Sequence, residues 1–148
     1  MEVIDKILSA HIPNELAILR QVARETSREE VERLNLVMRL IEANGTAWTN
    51  GCGLAAIQIG VPLRMAWLVI NGYPLVLINP RIEYGMGEYE VEEGCLSIPN
   101  KKTRVKRYDQ IEYWNDGKLR KASGFKANVI QHEIDHMDGI LNIDKEIV

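Results

Sequence analysis

Hydrophobic and polar positions alternate along this chain in three successive textures. In VERLNLVMRLIEA, residues 31–43, apolar positions recur three and four apart. Val31, Leu34, Val37, Met38 and Ile41 then share one face of a predicted helix. Ser27-Arg-Glu-Glu30 ahead of it fits a capping box, and Asn44-Gly45 predicts its end. From Leu63 to Tyr113 the period shortens. RMAWLVI, PLVLINP, RIEYG, TRVKRY and QIEYW are short apolar or alternating runs that read as strands. Asn115-Asp-Gly117 is a hairpin turn between QIEYW and KLRKA. Gly124 opens a second helical pattern with Ile130, Ile134, Met137 and Leu141 as its buried stripe. The order predicts an α+β fold: mostly antiparallel strands packed around a C-terminal helix, with a helix near the N-terminus. Without repeats, low-complexity tracts or long linkers, residues 1–148 read as a single domain.

Composition narrows the class without naming a chemistry. At 46% hydrophobic and 26% charged, the 148 residues are neither disordered nor fibrous. A formal net charge of −3 gives no global reason to expect DNA binding. No apolar run approaches the roughly 18 residues of a membrane helix. The start, MEVIDKILSA, lacks the basic region and apolar core of a secretory signal. The expectation is a cytoplasmic protein in a reducing compartment, with Cys52 and Cys95 as thiols.

The candidate chemistry lies on the second helix, in His132-Glu-Ile-Asp-His136. Histidines four apart lie on one helical face and can reach one ion, with Glu133 beside them to handle the protons of water. The stripe on 130, 134, 137 and 141 leaves both histidines together on another face. A catalytic site of this kind needs a third ligand and an open position. The familiar continuation His-Glu-x-x-His-x-x-Gly-x-x-His holds through Gly139, but Asn142 stands where the last His belongs. A zincin-type metallopeptidase is thereby disfavoured. Asp144 and Glu146 would serve only after a sharp turn, whereas Cys95, in Glu93-Gly-Cys-Leu-Ser97, offers a thiolate.

Three segments resemble the peptide deformylase family, in its order and spacing. They are Gly51-Cys-Gly-Leu-Ala-Ala-Ile-Gln58, Glu93-Gly-Cys-Leu-Ser97 and Gln131-His-Glu-Ile-Asp-His136. Weaker similarity at His11-Ile-Pro, Leu77-Ile-Asn-Pro80 and Asp138-Gly-Ile-Leu141 spreads the resemblance over nearly the whole chain. It implies removal of the formyl group from the N-terminal formyl-methionine of nascent polypeptides. It implies Cys95, His132 and His136 as ligands of one divalent ion: Fe2+ natively, with Zn2+, Ni2+ or Co2+ able to replace it. Glu133 would be the acid/base, and Gln58 with the backbone N–H of Leu96 would stabilise the oxyanion. The chain ends twelve residues after His136 and so resembles short, phage-like forms without a C-terminal helix linked to ribosome docking. That leaves at most a weak ribosome association, in a bacterial or phage-infected cytoplasm.

Helical spacing carries the metal face back to Phe125, Asn128 and Val129. Phe125 and Val129 suit a methionine side chain; Asn128 reads equally as pocket wall or as solvent-facing amide. Gly51 and Gly53 suit close approach of a peptide backbone. Cys52 reads as a pocket residue or a small core filler, and Gly94 joins the expected substrate-binding set with Cys52 and Gly53. Lys101, Lys102, Arg104, Lys106 and Arg107 put five cations in seven residues. Alternation favours a charge-protected edge strand with Thr103 and Val105 inward over a peptide- or RNA-steering patch. A non-catalytic relative would be expected to have lost Glu133, Gln58 or a ligand, and all are present.

Overall fold

The computed structural model describes residues 3–45 and 52–148, so Gly51 lies outside the described residues. Helices α1 (Pro13–Leu19), α2 (Arg28–Arg33) and α3 (Leu36–Gly45) precede strands β1 (Gly53–Ala55), β2 (Met65–Ile70) and β3 (Tyr73–Ile78). Strands β4 (Arg81–Cys95), β5 (Ile98–Asn115) and β6 (Lys118–Ser123) follow, then helix α4 (Gly124–Met137). The strands form two antiparallel sheets, β1-β2-β3 and β4-β5-β6.

The MAWLVI run of β2 is apolar at every position because both faces of its sheet are covered. Toward α3, Met65 and Trp67 pack with Leu54, Ile78, Leu36, Leu40 and Ala43. Toward α4, Ala66, Leu68 and Ile70 pack with Ala55, Leu77, Ile130, Ile134 and Met137. Ile111 and Tyr113 of the second sheet join that layer, so α4 lies wedged between the sheets. Leu141 is fully buried but falls beyond the end of α4.

Four expectations change. The helix expected over 28–44 is two helices, because Asn35 takes a left-handed φ of 52°. The break rotates the buried face to Leu36, Leu40 and Ala43 and leaves Met38 47% exposed. The capping box is half made. Ser27 Oγ accepts from the Glu30 N–H at 3.1 Å, while the Glu30 carboxylate turns to Thr26 and Arg24. TRVKRY and QIEYW are one strand, since nothing between them breaks pairing with β4. Along the basic stretch β6 is absent, pairing only with residues 110–115 of β5, and the Ile147 N–H reaches the Arg104 carbonyl at 2.9 Å instead. The edge reading holds there for Lys101, Lys102, Arg104 and Lys106, but Arg107 is only 3% exposed and points inward.

Candidate metal centre and active site

Two elements meet at the site. On α4, spacings of three and four align Asn128, His132 and Asp135 or His136 along one side. The helix ends in a Schellman turn. The Ile140 N–H bonds the Asp135 carbonyl at 2.9 Å and the Gly139 N–H bonds that of His136 at 3.1 Å. Gly139 takes φ +75°, and a Cβ there would lie 2.3 Å from the Arg20 carbonyl oxygen. Its place in the sequence motif is therefore a helix stop and a close backbone crossing. The second element is the tip of the β4–β5 hairpin, where Cys95 pairs with Ile98 across the Leu96-Ser97 turn. Strand period two sends Glu93 and Cys95 to the same side, which α4 covers.

Cys95 Sγ lies 3.4 Å from His136 Nε2, and the two Nε2 atoms of His132 and His136 are 3.2 Å apart. One ligand atom from each of Cys95, His132 and His136 falls within 4.8 Å of the others. Two imidazole nitrogens and a sulfur facing one another leave more lone pairs than protons between them. That donor set, soft sulfur with two imidazoles, fits a divalent ion such as zinc or ferrous iron. The other candidates are committed elsewhere. Asp144 pairs with Arg20 and takes the Leu141 N–H at 2.8 Å, and Glu146 pairs with Lys101 at 3.1 Å.

Glu93 organises the far side of His132. Its carboxylate lies 2.8 Å from His132 Nδ1 and takes two bonds from Arg107, at 2.7 and 2.9 Å. Arg107 also reaches Asp135 at 2.6 Å. Burial opposes the charge on Glu93, yet the Arg107 and His132 bonds win and hold it well below the usual carboxylate range. Burial lowers the His132 pKa, but the Cys95 and Glu93 partners outweigh it and raise it well above its ordinary value. His136 is driven well below, first by burial and then by the charge of His132. Glu133 is 1% exposed, and neither carboxylate oxygen has a hydrogen-bond partner among the described residues. Burial pushes its pKa up to about 7.

Gln58, 1% exposed, is fixed at both ends of its amide. Oε1 accepts from the Ala55 N–H at 2.9 Å, so Nε2 faces Ser97 Oγ at 3.1 Å and Cys95 Sγ at 3.9 Å. Leu96 is half-buried beside Cys95. Gly53 on β1 is a near neighbour of the acid/base candidate: a Cβ there would lie 3.2 Å from Glu133 Oε2. Val129 is buried in the α4 layer, whereas Phe125 is 56% exposed. Cys52 is exposed, and its carbonyl takes the Val69 N–H at 2.7 Å. Gly94 is exposed next to Lys102. Asn128 is 4% exposed and donates to Glu93, so the solvent-facing reading fails. Sequence reasoning missed Glu93 and Arg107 as site residues. Period two from Cys95 would have pointed to Glu93; nothing local in a run of cations singles out Arg107.

Fold and site together define a class: α+β metal-dependent hydrolases whose centre joins a helix-borne His pair to a strand-end cysteine. The chain matches the polypeptide deformylase family model over residues 4–147. It is similar to the peptide deformylase of Dictyoglomus thermophilum, 38% identical over 135 residues that cover 88% of this chain and 87% of that one. The crystal structure of peptide deformylase from Thermotoga maritima superposes with a TM-score of 0.85 at 29% identity, covering 99% of this chain and 100% of that one. A probable peptide deformylase from Synechococcus phage S-SSM7 superposes at 0.82 with 32% identity, covering 95% and 99%. This chain belongs to the polypeptide deformylase family. No helix among its described residues is long and apolar enough to cross a membrane.

Proposed function

We propose that this chain, acting as one catalytic domain in a bacterial or phage-infected cytoplasm, hydrolyses the N-formyl group from peptides that begin with formyl-methionine. The observation that carries this reading is the meeting of Cys95, His132 and His136 donors beside an unpartnered, buried Glu133. Cys95, His132 and His136 would hold one divalent ion, Fe2+ natively with Zn2+, Ni2+ or Co2+ as substitutes. When bound, that ion supplies Lewis acidity that makes water a nucleophile near neutral pH.

The chain's own groups do the rest. Glu133 takes a proton from the attacking water as its oxygen bonds to the formyl carbon. When the carbon–nitrogen bond breaks, Glu133 returns a proton to the leaving amine, giving formate and a free N-terminus. A pKa of about 7 suits a group that must both accept and give a proton near neutrality. Gln58 Nε2 and the Leu96 N–H donate to the developing oxyanion, and Ala55 fixes the amide that does so. Phe125, Val129, Cys52, Gly53 and Gly94 are the residues assigned to the methionine and its backbone. Ribosome association is weak in this reading, because Arg107 is buried and Lys101 and Arg104 are paired with Glu146 and Glu90.

The test is formate release from formyl-Met-Ala-Ser by protein loaded anaerobically with Fe2+ or Ni2+. The wild type is expected to be active and Glu133→Ala to lose roughly 10²–10⁴-fold in kcat while keeping its metal. A fully metallated wild type that releases no formate refutes the proposal.

A further inference from the structure

Every acceptor position of Glu93 is filled. Oε1 faces His132 Nδ1 at 2.8 Å and takes Arg107 Nη2 at 2.9 Å. Oε2 takes Arg107 Nε at 2.7 Å and the side-chain amide of Asn128. A carboxylate offers about four such positions, so Asn128 supplies the last of them. Asn128 stands one helical turn before His132 on α4, and it is 4% exposed. Burying an amide there is unfavourable unless it is bonded, and the bond it makes goes to the carboxylate that faces a metal donor.

We propose that Asn128 is a positioning residue for the metal centre. By completing the shell of Glu93 it stops the carboxylate from turning within the fork of Arg107. The carboxylate then fixes the plane of the His132 ring and keeps the proton on Nδ1, so that Nε2 is the atom presented to Cys95 and His136. Arg107 is anchored in turn by Asp135, which Lys145 meets at 3.0 Å. The ring of His132 is thus held by a chain of contacts, buried from Asn128 through Glu93 to Arg107, in which Asn128 lies on the same helix as the ring itself. This deepens the proposed function, because it rests on Cys95, His132 and His136 being the ligands.

Direct partners of a ligating histidine are typically worth roughly 10–100-fold in metal affinity. Asn128 acts one bond further out, so the expected loss is about tenfold or somewhat less. The experiment compares wild type, Asn128→Leu and Asn128→Ala. Co2+ affinity is measured by competition with a chelator, the Co2+ ligand-field absorption spectrum is recorded, and the metal-free proteins are melted. The expected result is weaker Co2+ binding and a shifted spectrum in both variants, with metal-free proteins that still fold and melt cooperatively, their stability lowered by no more than the loss of one buried hydrogen bond. Unchanged Co2+ affinity and spectrum would overturn the proposal. So would loss of the fold in both variants, since Asn128 would then hold the helix and not the ring. A failure of the underlying reading looks different: wild type itself would bind no Co2+, or Cys95→Ala would bind it as well as wild type does.

Discussion

Glu133 and Glu93 are two buried carboxylates driven in opposite directions. Among the described residues Glu133 has no donor on either oxygen, so burial dominates and its pKa rises to about 7. Glu93 is desolvated too, but Arg107, His132 and Asn128 surround it and its pKa falls. The first is suited to moving a proton and the second to holding a ring in place. Cys95 is the remaining test at this scale. Cys95→Ala should leave the purified protein without stoichiometric metal, read by elemental analysis; full metal content would transfer the third-ligand role to another group. Gly53 tests the placement of the proposed base, Glu133. A Cβ at 3.2 Å from Glu133 Oε2 forces a shift of a few tenths of an ångström. Gly53→Ala should therefore lower kcat several-fold, up to about tenfold, with metal content unchanged. An unaltered kcat would mean that Glu133 tolerates displacement.

At the scale of elements, α4 is defined as much by its end as by its face. Gly139 lets the chain leave the helix with φ +75° and lets Arg20 pass beneath it. A side chain there meets both the left-handed penalty of about 1–2 kcal/mol and a backbone oxygen that has no flexible end to move. Gly139→Ala should lower unfolding stability by more than about 2 kcal/mol, read as the shift in urea midpoint at constant slope. The glycine that looked like part of a protease motif is then a structural stop. At the other end of the chain, Asn35 splits the predicted N-terminal helix. Asn tolerates the left-handed region, which a pattern of apolar spacings does not register.

Over the whole molecule, buried charge links the β4-β5-β6 sheet to α4. Arg107 and Glu93 expose only 2% and 5% of their side chains. Arg107→Met would strand Glu93 without its main partner, a change expected to cost about 3–5 kcal/mol. The same pair shapes acid stability. Five carboxyls are held below their ordinary values, Glu15 and Glu30 by exposed bonds to Lys6 and Arg24. Asp5 is lowered by its Arg39 bond. Asp144 and Glu93 are lowered because their arginine bonds outweigh burial. A lowered folded pKa gives stability that is present above the ordinary values of 3.8 and 4.5 and is lost as pH falls below them. Melting temperatures of the metal-free protein should therefore drop between roughly pH 5 and 3, and less steeply in Arg107→Met than in wild type. Parallel curves for the two proteins would remove Glu93 from that account.

What the sequence determined by itself is what local spacing encodes. Histidines four apart on a helix share a face whatever surrounds them, and short apolar runs broken by Gly, Pro and Asn become strands. His132, Glu133 and His136 were legible for that reason, as were α4 and the hairpin turn at Asn115-Asp-Gly117. Cys95 stood out as a possible third ligand by its thiolate chemistry and gained its weight from family resemblance, and Gln58 became a candidate through that resemblance alone, because a lone cysteine and a lone glutamine carry no period of their own. Tertiary structure decided the rest. It set Cys95 Sγ within 3.4 Å of His136 Nε2 across 41 positions of sequence. It also turned one cation of a basic run, Arg107, into the buried partner of Glu93. Contacts between distant segments depend on how sheets and helix pack. Periodicity fixes which face a residue occupies, and only packing fixes what that face meets.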